Sequence, residues 1–194
     1  MEIKAVKGKI IVLGITGGIA AYKTAELTRR LVEEGAEVHV MMTAGAQQFI
    51  TPLTLQTLSG HPVHTDLFSL TQEQEIGHIF LADRADVFLI APASADILAK
   101  VSHGICDDLI TTVLCATQAP VLFAPSMNVH MWENSITQEN IQKLKNHGFQ
   151  IIEPDAGFLA CGYTGKGRLP DPEMLLSEIA KALKVRKLKS PATR

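Results

Sequence analysis

Several short segments of the chain combine residue types that could bind a phosphate, a flat ring or a carboxylate. The first, residues 14–20 (GITGGIA), follows the apolar run Lys9–Gly14, a predicted strand. Glycines between a strand and a helix let the backbone approach a ligand, and the helix N-terminus presents free N–H groups to an anion. The spacing is neither G-x-G-x-x-G nor the phosphate-loop pattern G-x-x-x-x-G-K-S/T. A ligand site and a tight turn without a ligand are equally consistent with it.

Polar residues at two later strand ends could reach the same ligand. Thr43 follows the predicted strand Glu37–Met42, and no acidic residue stands there to bind an adenosine ribose. This disfavours NAD and leaves room for a mononucleotide such as FMN. Ser94 and Asp96 follow the predicted strand Asp86–Ala91. They either bond the polar edge of a ring or cap the helix that comes next.

The stretch 125–132 (PSMNVHMW) follows another predicted strand, Pro120–Ala124. Asn128 either binds a ligand through its amide or caps a short helix. Met127 and Trp132 either contact that ligand or fill the core, which is the commoner use of such residues.

Residues 158–170 (FLACGYTGKGRLP) contain three glycines and no periodic apolar pattern. We expect a mobile flap or a hairpin here, and loops of this composition either close over a ligand or merely connect elements. Lys166 and Arg168 within it either meet a phosphate or are solvated loop charges.

Short apolar runs alternate with helical patterns along the chain. A fifth strand is predicted at Phe149–Ile152, and helices are predicted at Ile19–Glu34, Gln72–Arg84, Ala95–Ser102, Asp108–Ala116 and Ile136–His147. This alternation is typical of an α/β fold: a doubly wound, flavodoxin/Rossmann-like parallel sheet with helices on both faces. Ligands bind beyond the carboxyl ends of the strands in such a sheet, where the candidate residues lie.

Composition limits the classes of function. The chain has 194 residues, 46% of them hydrophobic, which is enough for one core and one domain. A formal charge of −2 disfavours nucleic acid as a partner. Residues 181–194 carry six basic and no acidic side chains. We therefore predict a single domain over residues 1–183 and a basic tail or linker over residues 184–194.

Three cysteines do not make a disulfide scaffold, and no apolar run is long enough to span a membrane. We expect a cytoplasmic protein without a membrane partner. Cys106 and Cys115 lie in apolar helical patterns and are predicted to be core residues. His61 and His64 have H-x-x-H spacing, but no other ligand motif accompanies them, so no metal is expected.

Five motifs together resemble the homo-oligomeric flavin-containing cysteine decarboxylases. They are residues 15–23 (ITGGIAAYK), 77–96 (GHIFLADRADVFLIAPASAD), 104–112 (GICDDLITT), 124–132 (APSMNVHMW) and 160–172 (ACGYTGKGRLPDP). The resemblance covers nearly the whole chain, and the last two motifs are specific in combination. Asp96 stands where the family has asparagine; an ionised aspartate accepts hydrogen bonds but cannot donate one.

The resemblance implies a bound FMN and the decarboxylation of N-(4′-phosphopantothenoyl)cysteine to 4′-phosphopantetheine and CO2, a step of coenzyme A biosynthesis. The thiol is oxidised to a thioaldehyde, CO2 leaves, and the ene-thiol is reduced again. The residues implied in FMN binding are Gly17, Gly18, Ile19, Ala20, Thr43, Ser94, Ala95, Asp96 and Met127.

Roles for individual residues also follow from the resemblance. His78 is the implied base, Asn128 binds the substrate carboxylate, and Cys161 protonates the intermediate during the final reduction. Lys166 and Arg168 are candidates for the substrate phosphate. The family further implies a homotrimer or a larger trimer-based assembly, and a phosphopantothenoylcysteine synthetase as a fused domain or separate partner.

Other functions compatible with the same pattern are a peptidyl-cysteine decarboxylase and a non-catalytic FMN-binding regulatory protein. Cys161 and the complete glycine-rich segment argue against the first, because only the reductive half of the reaction needs them. The regulatory relatives carry long acidic tails, and this sequence has none. A flavin prenyltransferase is disfavoured by P-x-M-N-x-x-M-W, and a flavodoxin-like electron carrier would not need His78, Asn128 and Cys161 together.

Overall fold

The computed structural model describes residues 5–68 and 77–189, without the side chains of residues 77, 78 and 186–189. The strands are β1 Ile10–Ile15, β2 Glu37–Met42, β3 Val63–His64, β4 Val87–Ala93, β5 Val121–Pro125, β6 Gln150–Ile151, β7 Asp155–Phe158 and β8 Thr164–Arg168. The α-helices are α1 Lys23–Glu33, α2 Pro52–Ser59, α3 Gly77–Arg84, α4 Ala95–Ser102, α5 Leu109–Ala116, α6 Val129–Glu133, α7 Ser135–Asn146 and α8 Pro172–Lys189.

Six parallel strands form one sheet in the order β3-β2-β1-β4-β5-β6. The chain winds outward in one direction from β1 to β3 and in the other direction from β4 to β6. The carboxyl ends of β1 and β4 therefore border a crevice where the strand order reverses, which is the ligand-binding position of doubly wound sheets. The predicted fold class is confirmed.

Both faces of the sheet are covered, as a parallel sheet requires. On one face α1, α2 and α8 supply apolar side chains such as Leu27, Leu55 and Ile179. On the other face α3, α4, α5 and α7 do so, with Leu81 and Leu144 among them. The apolar runs of the central strands are buried from both sides, and this rigid centre positions the strand ends.

The five predicted strands are present: β2 has its predicted ends, and the ends of the other four are shifted by one or two residues. Elements α2, β3 and α8 were not predicted, and the short helix that Asn128 was expected to cap is α6. Thr51 caps α2, Pro52 begins it and Gly60 ends it in the left-handed conformation, which is a complete set of helix signals around a short apolar segment. Helix α8 repeats apolar residues at Leu175, Ile179 and Leu183, a spacing that predicts a buried helical stripe.

One prediction is wrong and another stays a prediction. The backbone of residues 184–189 continues α8, and residues 190–194 lie outside the described part of the chain, so the boundary between domain and tail at residue 183 stays a prediction. Cys106 and Cys115, predicted to be core residues, are exposed. Cys106 precedes α5 instead of lying within it. Helix α5 turns other residues, including Ile110 and Val113, toward the core, so Cys115 falls outside its buried stripe.

Residues 158–170 include the turn and second strand of an antiparallel hairpin, β7–β8, separate from the main sheet. The register shifts within it: Asp155 pairs with Arg168 and Ala156 pairs with Lys166, so that Gly167 has no residue opposite. This bulge turns the Gly167 carbonyl toward the end of β5. The hairpin alternative for the glycine-rich segment is the one that the structure adopts.

No helix within residues 5–68 and 77–189 combines the length and the apolar character that a bilayer crossing requires.

Candidate active site

Two neighbouring cavities open at the carboxyl edge of the sheet, and Gly17 and Ser94 line both of them. The first has a volume of about 590 Å³ and extends between the ends of β1 and β2 and the start of α5. The second, of about 550 Å³, lies between the glycine turn, the end of β5 and the hairpin. Each volume lies within the usual range for a cofactor or substrate site.

The predicted flavin-binding residues divide between the two cavities. Thr43 and Asp96 line the first. The second is lined by Gly18, Ile19, Ala20, Ala95 and Met127. Together with Gly17 and Ser94, which belong to both, all nine positions border one continuous region of the sheet edge.

The glycine turn exposes backbone donors to this region. The N–H groups of Gly17 and Gly18 precede a 3-10 turn that leads into α1, and they make no hydrogen bond to other described residues. A Cβ atom on Gly17 would lie 3.2 Å from the carbonyl carbon of Gly45, so the two loops touch through their backbones. Unpaired N–H groups ahead of a helix suit a phosphate or another anion.

Thr16 joins the ends of β1 and β4 beneath the turn. Its buried hydroxyl donates to the Pro92 carbonyl at 2.6 Å and accepts from the Ser94 N–H at 2.9 Å. The Ser94 hydroxyl in turn accepts from the Ile97 N–H at 3.2 Å and caps α4. Ser94 is therefore a helix cap as well as a residue that lines both cavities.

Asp96 faces a lysine. Lys100 Nζ lies 3.4 Å from the Asp96 carboxylate, 3.1 Å from Asp107 and 3.7 Å from Asp108. The hydrogen bond to Asp107 is the main cause that raises the pKa of Lys100. Three carboxylates against one ammonium leave this side of the first cavity negative, so an anionic group is better placed at the glycine turn.

Asn128 and Cys161 meet in the second cavity. The Asn128 side-chain oxygen accepts from the His130 N–H at 2.8 Å, and this bond fixes the orientation of the amide. The amide nitrogen, Nδ2, then faces the cavity and lies 3.0 Å from the Cys161 sulfur. An amide donor and a thiol, separated by 33 residues in the sequence, are thus brought into direct contact.

The hairpin that carries Cys161 is hydrogen-bonded to the residues that follow β5. The Gly167 carbonyl accepts from the Met127 N–H at 3.0 Å and from the Ser126 hydroxyl at 3.0 Å. Gly167 has a φ of 152°, and a Cβ atom there would lie 2.2 Å from the Met127 carbonyl oxygen. Only glycine allows the backbone at position 167 to come this close to the Met127 carbonyl. Gly167 therefore sets the distance between the hairpin and the loop that carries Asn128.

The two predicted phosphate ligands of the hairpin differ in their environment. Arg168 lines the second cavity. Lys166 does not; its Nζ lies 2.6 Å from the Glu153 carboxylate, and this hydrogen bond lowers the pKa of Glu153. The structure therefore brings Arg168 into the cavity and leaves Lys166 in an ion pair outside it.

His78 was predicted as the base. Its backbone belongs to the first turn of α3 as described, and its side chain lies outside the described part of the structure. The prediction for His78 stays untested.

Three residues without a predicted role, Tyr22, Met131 and Phe158, also line the second cavity. Each is a large apolar side chain that is nonetheless about half exposed or more, Phe158 at 70%. The available signal was their position: all three lie inside the segments 15–23, 125–132 and 158–170, which were chosen for their chemistry.

A family model described as "Flavoprotein" matches residues 2–184 of the chain. The chain belongs to this family. The match covers both cavities and the hairpin, and it agrees with the family resemblance found in the five motifs.

Among curated proteins, the chain is 53% identical over 169 residues to the coenzyme A biosynthesis bifunctional protein CoaBC of Vibrio parahaemolyticus, covering 87% of this chain and 42% of that protein. It is 50% identical over 165 residues to the protein of the same name from Escherichia coli strain K12, covering 85% of this chain and 41% of that protein. The chain thus spans about two fifths of the length of these relatives.

Solved structures share the fold over nearly their full length. A cysteine-to-serine mutant of PPC decarboxylase, complexed with pantothenoylaminoethenethiol, has a TM-score of 0.79 at 29% identity, covering 91% of this chain and 98% of its own. The FMN-dependent cysteine decarboxylase SpaF has a TM-score of 0.81 at 30% identity, covering 94% of this chain and 99% of its own.

Proposed function

We propose that this chain is an FMN-dependent decarboxylase that converts N-(4′-phosphopantothenoyl)cysteine to 4′-phosphopantetheine and CO2. The observation that carries the proposal is the contact between Asn128 and Cys161 in the cavity beside the glycine turn. A carboxylate-binding amide, a proton-donating thiol and an anion-binding turn are the groups that this reaction requires of the protein.

The similar proteins support the choice of substrate. The relatives from Vibrio parahaemolyticus and Escherichia coli bear names that place them in coenzyme A biosynthesis. The PPC decarboxylase mutant was solved with pantothenoylaminoethenethiol, which is an ene-thiol of the kind expected after CO2 has left. The hairpin with Cys161 is present in this chain, which supports a reaction that continues past the ene-thiol.

The residues around the first cavity and the glycine turn suit FMN. Gly17 and Gly18 offer unpaired N–H groups to the phosphate, and side chains larger than hydrogen at Gly17 would press on Gly45. Ser94 and Ala95 are small enough to let a flat ring approach the end of β4. FMN bound there would supply the two-electron oxidation and the later reduction of the substrate.

A free cysteine carboxylate loses CO2 too slowly for metabolism. The protein therefore has to hold the substrate in a position where this step becomes faster. Direct loss of CO2 would leave an unstabilised carbanion. Oxidation of the CH2–SH carbon to CH=S places a thiocarbonyl β to the carboxylate, so that the electron pair of the breaking C–C bond moves to sulfur and an ene-thiolate forms. Protonation of its carbon and return of a hydride give CH2–CH2–S⁻, and the thiolate takes up the proton lost in the oxidation to restore CH2–CH2–SH with no net oxidation.

Asn128 suits the carboxylate because its amide oxygen is already used by the His130 N–H. Nδ2 therefore presents only N–H donors to the cavity, one of them shared with the Cys161 sulfur. A donor fixed in this way binds a carboxylate without reorienting when the charge leaves as CO2.

Cys161 suits the final proton transfer because its sulfur lies next to the group that holds the carboxylate. Once CO2 has left, the carbon that carried it faces the thiol. Its S–H proton can then move to this carbon as the hydride arrives at the neighbouring one. His78 is proposed as the base for the substrate thiol, on the family resemblance alone, since neutral imidazole accepts a proton near pH 7.

The substrate phosphate must be recognised locally, because the acidic side chains outnumber the basic ones over residues 1–180. Arg168 is the proposed ligand, since it lines the second cavity, and a planar guanidinium binds a phosphate through two N–H groups. Lys166 is engaged by Glu153 and is not included in the proposed contact.

We further propose that the enzyme acts as a trimer-based homo-oligomer in the cytoplasm. Ile19, Tyr22 and Phe158 line the rim of the second cavity and are 58%, 60% and 70% exposed, an apolar surface that another subunit would cover. Three exposed, free cysteines suit a reducing compartment. A phosphopantothenoylcysteine synthetase, fused or separate, is the proposed functional partner, as the names of the bifunctional relatives suggest.

The proposal is tested with the purified 194-residue chain. Absorbance bands at ~370 and ~450 nm that copurify with the protein report bound oxidised flavin. Release of CO2 is then followed with phosphopantothenoylcysteine and with a peptide that ends in cysteine. Turnover of the first alone supports the proposal. Turnover of the peptide alone indicates a peptidyl-cysteine decarboxylase, and flavin binding without turnover indicates a regulatory protein.

A further inference from the structure

A second cluster of side chains able to bind a ligand lies at the other end of β2. Glu37, His39 and His61 each point one ligand atom into a common space, and these atoms all lie within 4.8 Å of one another. Glu37 begins the strand, whereas Thr43, which lines the first cavity, follows its end. At about 3.3 Å per residue the two positions are about 20 Å apart, so the cluster is distinct from the candidate active site.

The three groups are of the types that bind zinc. A tetrahedral Zn²⁺ site takes imidazole nitrogens and carboxylate oxygens at about 2.0–2.2 Å, and two histidines with one glutamate leave a fourth position for water. Donor atoms in such a site are separated by about 3.3 Å. The pair Glu37 Oε1 and His39 Nε2 is already 2.9 Å apart, so only the third donor must move.

Strand β2 places two of the ligands on one face of the sheet. His39 is buried at 9% exposure in the middle of β2, and Glu37 shares its face of the sheet because strand side chains alternate. His61 is half-buried, just after the end of α2. The Ser59 hydroxyl bonds both the N–H and the carbonyl of His61 at 3.2 Å and fixes its backbone.

The third ligand can reach the ion by side-chain rotation. The rings of His39 and His61 are 4.6 Å apart at their centroids and tilted by 31°. The three donor atoms lie within 4.8 Å of one another, and rotation about the side-chain bonds of His61 would bring its nitrogen closer to the Glu37–His39 pair. Its partial exposure leaves room for that rotation and for a water molecule on the ion.

Charge around the cluster is compatible with a cation. Glu37 contributes a carboxylate, and the hydrogen bond from His39 is the main cause that lowers its pKa. The positive charge of Arg84, in α3, also lowers the pKa of Glu37. The Arg84 guanidinium is exposed to solvent and lies 4.8 Å from the centre of the Phe80 ring.

We propose that Glu37, His39 and His61 bind a divalent transition metal of the zinc type. The bound ion would tie the end of α2 to β2, close to the sheet edge formed by β3. The H-x-x-H spacing drew attention to His64 as the partner of His61, but the fold pairs His61 with His39 instead.

The test uses the flavin-loaded chain and ZnCl2, with calorimetric titration of the wild type and of His61→Asn, Glu37→Gln and His147→Asn. His147 is exposed at the end of α7, away from the cluster, and serves as the matched control. The wild type and the control should bind one Zn²⁺ equally well. Loss of His61 or Glu37 should weaken this binding on the order of 100-fold, since even indirect supports of a metal ligand contribute about 10- to 100-fold.

Crystals of the wild-type chain grown with ZnCl2 locate the ion directly, so this test does not depend on the folding stability of the variants. Anomalous density at the zinc edge is expected between Glu37 and His61, in contact with His39. Equal affinity in the wild type and His61→Asn, or an anomalous peak only at Cys161 or another cysteine, would overturn the proposal. The decarboxylation assay does not enter this test, so its result is independent of the proposed function.

Discussion

Asn128 Nδ2 lies 3.0 Å from the Cys161 sulfur, and this contact joins the loop after β5 to the turn of the β7–β8 hairpin. The amide is oriented by the His130 N–H, and the hairpin is held at its distance by Gly167. The amide of Asn128 is proposed to bind the carboxylate and the thiol of Cys161 to donate a proton, and one hydrogen bond joins the two groups. Each can be tested by a substitution that leaves the other in place.

Replacing Cys161 by serine should separate the two halves of the reaction. Oxidation and CO2 loss do not use the thiol, but a hydroxyl is too weak an acid to replace it as proton donor. The Cys161→Ser variant should retain flavin and release CO2 while an ene-thiol, lacking two hydrogen atoms of the normal product, accumulates in the mass spectrum. Cys115→Ser, at another exposed cysteine, should give the normal product. Normal phosphopantetheine from Cys161→Ser would remove Cys161 from the mechanism.

Asn128→Asp should weaken substrate binding and turnover without unfolding α6. Aspartate keeps the oxygen that caps the helix at His130 but loses the N–H donors and adds a charge opposite the substrate carboxylate. A hydrogen bond to a charged group contributes about 1.5–3 kcal/mol, so kcat/KM should fall by at least about 10- to 100-fold. Steady-state kinetics measure this fall.

The control for that substitution is Asn134→Asp, which changes an equivalent cap at the start of α7. Its kinetics should match the wild type because Asn134 is not among the residues that line the second cavity. An unchanged KM and kcat in Asn128→Asp would refute carboxylate binding by the amide.

Gly167→Ala should detach the hairpin from the loop after β5. Its Cβ would lie 2.2 Å from the Met127 carbonyl oxygen, so the hairpin has to move outward and carry Cys161 away from Asn128. Misplacement of a reacting group by about 1 Å can lower a rate on the order of 100-fold. The product-forming rate should fall by this order while flavin absorbance persists. Gly148→Ala, at a φ of 88° and with no atom within 4 Å of its Cβ position, is the control: it should cost about 1–2 kcal/mol of stability and no activity.

The two basic residues of β8 should differ in their effect on substrate binding. Arg168→Met should raise KM for phosphopantothenoylcysteine because Arg168 lines the cavity, whereas Lys166→Met should leave KM near the wild-type value. Repeating the assay with a substrate that lacks the phosphate should erase the difference between Arg168→Met and the wild type. A larger KM effect from Lys166→Met than from Arg168→Met would reverse the assignment.

Thr16→Val should destabilise the chain and loosen the cofactor site. The change removes a buried hydroxyl that bonds both the Pro92 carbonyl and the Ser94 N–H, and it leaves those two groups without their partner. The free energy of unfolding, measured with urea, should fall by about 1–3 kcal/mol, and the affinity for FMN should fall with it. Thr57→Val, at an exposed helical threonine, is the matched control and should change the free energy of unfolding by less than half as much.

Much of this architecture could be predicted because the central strands are buried on both faces. Their continuous apolar runs identify them as strands without any knowledge of the rest of the fold. The glycine turn and the helix caps Ser94 and Asn128 are also recognisable from the local sequence alone. Helix α8 was not predicted, because its buried apolar residues form only one narrow stripe. The basic residues near its end instead led to the prediction of a tail or linker over residues 184–194.

The rest could not be predicted because it depends on contacts between distant segments. The distance from Asn128 to Cys161 is fixed by the bulge at Gly167, and no spacing in the sequence encodes it. Lys166 and Arg168 look equivalent in the sequence, but in the structure Lys166 pairs with Glu153 whereas Arg168 lines the second cavity. In the same way His61 lies beside His39 because α2 returns the chain to β2, not because of any motif.

The identity of the product made by the 194-residue chain tests the central claim most directly. Flavin-loaded protein is incubated with N-(4′-phosphopantothenoyl)cysteine, and the product is identified by mass spectrometry alongside measured CO2. The account predicts 4′-phosphopantetheine and CO2 in equal amounts, with no external reductant consumed. An ene-thiol as the final product of the wild-type chain, or an unchanged substrate in the presence of bound flavin, would contradict it.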